Sequence, residues 1–305
     1  MINKPLPLFP GARVALVAPS GPLPEGRLMP ALDSVRALDL EPVVYPSCEK
    51  QHGYFAGGDE QRARDINDAF ADDSIQGILC MRGGYGAQRL MDRLDWKLIA
   101  EHPKVFCGYS DITALHIQLN QRCGMVTWHT PMPSTEWYEG LDEFTTASLR
   151  RALFSGALGP VYNPPGQEML TLAKGTATGQ LTGGNLSLVA ATLGTPWEID
   201  TRHKILFLED VDEEPYRIDR MLLQLKQAGK LADCAGILLG QFTNCQAKHP
   251  DRSLLLSDVF RELLLSEGKP VLMNIVCGHC MPTLSLPLGL NVLMDATAGA
   301  LTILE

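Results

Sequence analysis

The chain predicts an α/β fold in which an open parallel sheet carries helices on both faces. Three observations predict it. Short apolar runs alternate with segments of helical spacing through the first 150 or so residues, which is the pattern of parallel strands and crossover helices. The runs are apolar throughout rather than alternating, as strands buried on both faces require. At 305 residues the chain is also long enough for two domains with full cores, and its texture changes midway.

Taken in order, Ala12 to Ala18 is the first strand, apolar apart from Arg13, and it ends in Pro19-Ser20-Gly21-Pro22, a loop by composition. Leu28, Leu32, Val35 and Leu38 recur at helical spacing, and Pro42 to Tyr45 forms a second short strand. From Gly58 to Phe70 runs a charged helix with Ala63, Ile66, Asn67 and Phe70 on one face, where Asp59 and Arg62 cap or stitch the first turn. Gln76 to Met81 is a third strand, Val105 to Cys107 a fourth, and Gly124 to Trp128 a fifth. A helix spans Asp142 to Phe154. Residues 1–154 therefore make an N-terminal α/β domain.

Residues 155–169, with Gly156, Gly159-Pro160 and Asn163-Pro164-Pro165-Gly166, read as a linker, and residues 170–305 as a C-terminal domain. Its strands are short, with turns expected at Lys174-Gly175 and Thr182-Gly183-Gly184-Asn185, the latter opening a helix at Leu186. Ile205 to Leu208 is an apolar strand that runs into five carboxylates within six residues, Glu209 to Glu214. Pro215 suits the first turn of a helix whose buried stripe is Ile218, Met221, Leu222 and Leu225, and Gly229 follows its end. Ala235 to Phe242 is another buried strand, and Val271 to Val276 leads into Gly278-His279.

The totals exclude several functions. A net charge of -9 with no basic cluster argues against a nucleic-acid partner, which needs a basic face to displace counterions. No apolar run approaches 18 residues, so no membrane span is expected. Prolines at positions 5 and 7 interrupt the N-terminus before a signal-like apolar region can form, and a cytoplasmic location is expected. Eight cysteines are too sparse for a disulfide scaffold. Cys277-Gly278-His279-Cys280 has dithiol spacing, but the prolines at 282 and 287 forbid the helix that would activate a redox thiol, and no second pair completes a zinc site.

Chemistry concentrates at strand ends, where binding sites of parallel sheets gather. Gly108-Tyr109-Ser110-Asp111 joins the fourth strand to a helix carrying Ile112, Leu115, His116 and Leu119 at helical spacing. Ser110 so placed can stand clear of the sheet beside the free N–H groups of a helix start, the logic of a nucleophile elbow, or can simply cap the helix. Arg82-Gly83-Gly84-Tyr85-Gly86 follows the third strand at the same edge. Neither a full Gly-Xaa-Gly-Xaa-Xaa-Gly fingerprint nor a Walker lysine accompanies it. That leaves a phosphate cradle, a backbone N–H for an oxyanion, or a tight turn as readings. A serine nucleophile needs an imidazole to take its proton and a carboxylate to orient the imidazole. Glu209 is the first acid after its strand. His129 and His279 both follow strands and are alternative bases, whereas His116 reads as a core residue.

These motifs, in this order and together with Gly183-Gly184-Asn185-Leu186, Leu208-Glu209-Asp210 and Pro215-Tyr216-Arg217, resemble the LD-carboxypeptidases. That serine-peptidase family also contains the microcin C self-immunity peptidases. The resemblance runs from about Val14 to Leu301. It implies a flavodoxin-like N-terminal sheet, a smaller strand-rich C-terminal domain, and a triad of Ser110, Glu209 and His279 drawn from both. It implies an oxyanion hole from the main-chain N–H groups of Asp111 and Gly84, no metal or cofactor, and a homodimer. The implied substrate is a murein tetrapeptide whose terminal D-alanine is cut from an L-centre in cell-wall recycling. The alternative is a peptide- or aminoacyl-nucleotide conjugate of the microcin kind, for which Trp128, Trp137 or Trp197 would have to offer an aromatic platform. Arg82 and Arg217 are candidate partners for the substrate carboxylate, with Gly83 and Tyr85 beside them. Two positions depart from the family pattern: Cys280 after His279, and Thr130 where a glycine is expected after His129.

Overall fold

A computed structural model describes residues 2–304. The chain divides into two compact units, one formed by the residues up to Ala157 with Ser285–Gly289, the other by Leu158–Leu284 with the residues from Leu290 onward.

In the first unit the strands are β1 (Arg13–Val17), β2 (Glu41–Val44), β3 (Gly77–Cys80), β4 (Val105–Gly108) and β5 (Thr127–His129). They are joined by α1 (Leu28–Arg36), α2 (Asp59–Ala71), α3 (Trp96–Glu101) and α4 (Thr113–Cys123), and α5 (Glu143–Ser155) follows. The strands lie in the order β2-β1-β3-β4-β5, all parallel, which is the flavodoxin-like order. Because β1 leads outward to β2 while the later crossovers run the other way, right-handed connections put α1 on one face and α2 to α4 on the opposite one. The residues match this placement. The strand interiors from Val14 to Val17 and Ile78 to Cys80 are sealed from solvent, and α4 is buried on nearly every side from Thr113 to Leu119.

Two details differ from the sequence expectation. Gly124 does not open the fifth strand. It ends α4 in the left-handed conformation at φ 61°, its N–H donating to the Leu119 carbonyl, so β5 starts only at Thr127. Moreover, β12 (Leu286–Leu288), which the sequence placed with the C-terminal domain, pairs antiparallel with β5 and completes this sheet.

The second unit holds one eight-stranded sheet. Its strands are β6 (Gly159–Val161), β7 (Leu170–Ala173), β8 (Thr176–Asn185), β9 (Ile205–Val211), β10 (Gly236–Thr243), β11 (Val271–Met273), β13 (Asn291–Asp295) and β14 (Ala300–Ile303). They run in the order β6-β14-β13-β8-β9-β10-β11-β7. The central β8-β9-β10-β11 are parallel and the flanking pairs antiparallel. Helices α6 (Leu186–Ala191), α7 (Pro215–Gln227), α8 (Lys230–Asp233) and α9 (Leu256–Leu264) form the crossovers. The expected α7 stripe of Ile218, Met221, Leu222 and Leu225 is buried. Strand β6 lies inside the stretch read as a linker. Thr182–Asn185, expected as a turn, continues β8 in register with β9. The reason is steric: a Cβ at Gly183 would lie 2.0 Å from the Phe207 carbonyl oxygen. The glycines permit close backbone passage within a strand rather than a reversal of the chain.

Candidate active site

In the first unit, the chain leaves β4 through Gly108 and Tyr109 and turns at Ser110 into a single 3-10 turn, Ser110–Ile112, that runs into α4. Ser110 has φ 63°, left-handed for a residue with a Cβ. Such a conformation costs about 1–3 kcal/mol and persists only where the surroundings impose it. This strained strand-to-helix turn has the backbone form that a nucleophile elbow requires. The Gly-rich loop after β3 lies directly against it. An added Cβ at Gly83 would stand 2.9 Å from the Ser110 Cβ, 3.0 Å from its Oγ and 3.5 Å from the Asp111 N. Only glycine lets this backbone approach the hydroxyl. The Gly83 carbonyl accepts from the Gly21 N–H at 3.2 Å and from Arg82 Nε at 3.3 Å. In a trans peptide the Gly84 N–H then points the opposite way, away from Gly21.

Arg82 is held by the backbone, since its Nη1 also donates to the Pro22 carbonyl at 2.9 Å. It braces the loops after β1 and β3. Tyr85 is half exposed and forms an aromatic cluster with Tyr54 and Phe55, at centroid distances of 6.0 and 5.8 Å. His116 is sealed in the core, where its Nε2 meets the Gly108 carbonyl at 2.9 Å, and burial pushes its pKa down to about 4. It stays a neutral core residue, as its position on α4 predicted. His129 is also buried, edge-on to the Tyr109 ring.

In the second unit, Glu209 lies near the carboxyl end of β9 and is fully buried. Its Oε2 is 2.8 Å from His279 Nδ1 and accepts the His279 main-chain N–H at 3.3 Å. Gly278, at φ 121°, makes this possible, because a Cβ there would lie 2.5 Å from the same carboxylate oxygen. The next acid, Asp210, also lies in β9 rather than beyond it and is equally sequestered but fully engaged elsewhere. It accepts from Asn185 Nδ2, from the Ser187 N–H and hydroxyl, and from the Val211 N–H. Burial pushes its carboxyl up and those bonds oppose the shift. Asp210 is thus neither a solvated charge nor a helix-entry charge. Its bonds tie the Asn185 end of β8 and the start of α6 to β9, and Asn185 itself caps α6 by accepting the Leu188 N–H. Arg217 is exposed on α7, with Nε 3.0 Å from the Tyr216 hydroxyl and Nη1 3.5 Å from Glu213.

Residues 14–130 match the LD-carboxypeptidase N-terminal domain and residues 178–294 match the LD-carboxypeptidase C-terminal domain. The chain belongs to the LD-carboxypeptidase family. It is thereby a member of a family of hydrolases. A Bacillus subtilis protein named "Probable murein peptide carboxypeptidase" is 43% identical over 305 residues, covering 99% of this chain and 94% of that one. The murein tetrapeptide carboxypeptidase of Pseudomonas aeruginosa is 30% identical over 295 residues, covering 93% of each. Among solved structures, a muramoyltetrapeptide carboxypeptidase from Oxalobacter formigenes superposes with TM-score 0.84 at 30% identity, over 95% of this chain and 97% of that one. The immunity protein MccF, in complex with glutamyl sulfamoyl guanosine, superposes with TM-score 0.90 at 23% identity, over 99% of this chain and 98% of that one. That likeness shows the shared fold.

The dithiol reading does not survive in this family member. Cys277 is buried with its Sγ 3.3 Å from the Leu284 carbonyl oxygen, and burial pushes its thiol well up, so it holds no reactive thiolate. Among the described residues no cluster of His, Cys, Asp or Glu could hold a metal ion, and no helix is long and apolar enough to cross a membrane. Sequence reasoning missed Ser20, the Asp111 side chain and the full reach of Arg62. Ser20 Oγ donates to Asp111 Oδ2 at 2.5 Å, and the Ala87 N–H donates to the same oxygen at 2.8 Å. The one available signal was position, since Pro19-Ser20-Gly21 follows β1 at the point where the strand order reverses.

Proposed function

We propose that this protein is a serine carboxypeptidase that releases the terminal D-alanine from the L-centre of murein tetrapeptides, in the cytoplasm and in the service of cell-wall recycling. The observation that carries this reading is the 43% identity, end to end, with the B. subtilis murein peptide carboxypeptidase. Ser110 is the nucleophile, His279 the base and Glu209 its orienting carboxylate. In the orienting role Glu209 Oε2 accepts the Nδ1–H of His279, which leaves Nε2 as the basic nitrogen. His279 takes the Ser110 proton as Oγ attacks the carbonyl between the L-centre and D-alanine. The Asp111 and Gly84 amides receive the oxyanion. His279 then protonates the leaving amine, and water, deprotonated by the same imidazole, hydrolyses the acyl-enzyme and restores Ser110. Each oxyanion donor contributes about 10²–10³ in rate. Arg82 and Arg217 are the cations offered to the substrate carboxylate, and the active species is a homodimer.

The geometry of each unit supports these roles separately: a strained serine packed against a Gly-rich loop, and a buried glutamate bonded to an imidazole. Of the three tryptophans that the nucleotide-conjugate alternative could use, Trp128 and Trp137 are buried and closed to a stacking base, which leaves the half-buried Trp197 as its platform. Ser110→Ala tests the proposal. It should lower D-alanine release from a murein tetrapeptide by on the order of 10⁶ while the circular dichroism spectrum stays native. Near-normal turnover by this variant, or faster cleavage of an aminoacyl-nucleotide than of the tetrapeptide by the wild type, would overturn it.

A further inference from the structure

The loops that follow β1, β3 and β4 meet at two buried charged side chains. Asp111, 1% exposed, receives the Ser20 hydroxyl from the first loop at 2.5 Å and the Ala87 N–H from the end of the second at 2.8 Å, both on Oδ2. Arg62, fully buried at the start of α2, donates to the Pro19 carbonyl of the first loop and, at 3.0 Å, to the Gly86 carbonyl of the second. Its Nη2 is paired with Asp59 at 2.5 Å, and its guanidinium lies over the Phe55 ring. The Gly-rich loop is thus pinned at both ends. Gly83 is tied at one end to Gly21, and Gly86 and Ala87 at the other to Arg62 and Asp111. Gly84 lies between the pins.

We infer that the Asp111 carboxylate and the Ser20 hydroxyl are positioning groups that set the Gly84 amide relative to the amide of Asp111 itself. This rests on the proposed function, in which those two amides receive the oxyanion. One residue then serves twice: its main chain faces the reaction, and its side chain reaches inward to hold the loop that supplies the second donor. Burying a carboxylate beside two short loops is costly unless donors surround it. Burial does push the Asp111 carboxyl up, and the Ser20 and Ala87 bonds and the Arg62 charge oppose that shift. A catalytic hydrogen bond is sensitive to such placement, because its donor must already stand where charge develops.

The test compares Ser20→Ala, Asp111→Asn and the double variant with wild type and Ser110→Ala in the full-length protein. Active sites are counted by titration with a serine-directed phosphonate, so that misfolded molecules do not enter kcat. Ser20→Ala should lower kcat per titrated site about tenfold, a fraction of the loss of a whole donor, with KM changed less than about threefold and the phosphonylation rate falling in parallel. The double variant should be no slower than the slower single one, because both changes break one bond. Wild-type kcat per site in Ser20→Ala, or fully multiplicative losses in the double variant, would overturn the inference. If Asp111→Asn does not fold, Ser20→Ala alone decides. A dead Ser110→Ala beside an unimpaired Ser20→Ala removes only this inference, whereas an active Ser110→Ala removes the function on which it rests.

Discussion

Replacing Gly83 by alanine puts one methyl group against the proposed nucleophile, and its consequence can be worked from the structure. The new Cβ would meet the Ser110 Cβ at 2.9 Å and Oγ at 3.0 Å, whereas carbon atoms rest at about 3.5–4.0 Å. The two groups must therefore part by roughly 0.6–1 Å. The Gly-rich loop is the stiffer partner, since Gly83 O is bonded to Gly21 N and β3 is locked to β4 through Leu79 and Cys107. Ser110, already strained at φ 63°, is the group that gives. A displacement near 1 Å of a reacting group costs about 10²-fold in rate, or roughly 2.7 kcal/mol of activation free energy. The overpacking itself costs about 1–3 kcal/mol of stability. Gly83→Ala should thus lower kcat for D-alanine release about 100-fold, leave KM within a few-fold, and lower Tm by several degrees. Gly58→Ala is the control, because its φ is -68° and nothing lies within 4 Å of the added methyl. It should keep wild-type kcat. If Gly83→Ala turned over at the wild-type rate, the close packing of this loop on Ser110 would have no bearing on catalysis.

Two other perturbations bear on single side chains. Glu209→Gln keeps the shape of the buried side chain but replaces one carboxylate oxygen by an NH₂ group, either facing His279 Nδ1 or left at the position where Oε1 has no partner. Steady-state kinetics should show kcat reduced about 10³–10⁴-fold with a native circular dichroism spectrum, and a loss under tenfold would remove Glu209 from the triad. His116 contributes to the loss of stability in acid. Its ordinary value of 6.5 falls to about 4 in the folded protein, so between those values the unfolded chain binds the extra proton. Stability from this group is full above pH 6.5 and is lost as pH falls through 4, about 3 kcal/mol in all. Urea unfolding of His116→Gln should show a correspondingly shallower decline between pH 6.5 and 4, and an unchanged slope would refute the assignment.

Much of the fold was legible because periodicity is local. The apolar runs ending at Val17, Cys80 and Gly108, and the stripe on α7, report which faces are buried without reference to any distant residue. The strand-to-helix turn at Ser110 was legible for the same reason, as were the acids that begin near the end of β9. What the sequence did not show depends on contacts between remote positions. Gly183-Gly184 has the composition of a turn, and only the passage of β9 alongside makes it a strand. Leu286–Leu288 lies within the C-terminal stretch of the chain, yet its backbone hydrogen bonds are satisfied by β5. Ser20 and Asp111 are 91 positions apart and neither carries a pattern naming the other. A buried polar atom takes whichever partner the folded backbone brings within reach. The order of motifs by itself determined the elbow, the family and the residues to which roles could be given. The tertiary structure decided what Asp210 does beside Glu209, and that the Asp111 side chain turns away from its own amide to hold the loop opposite.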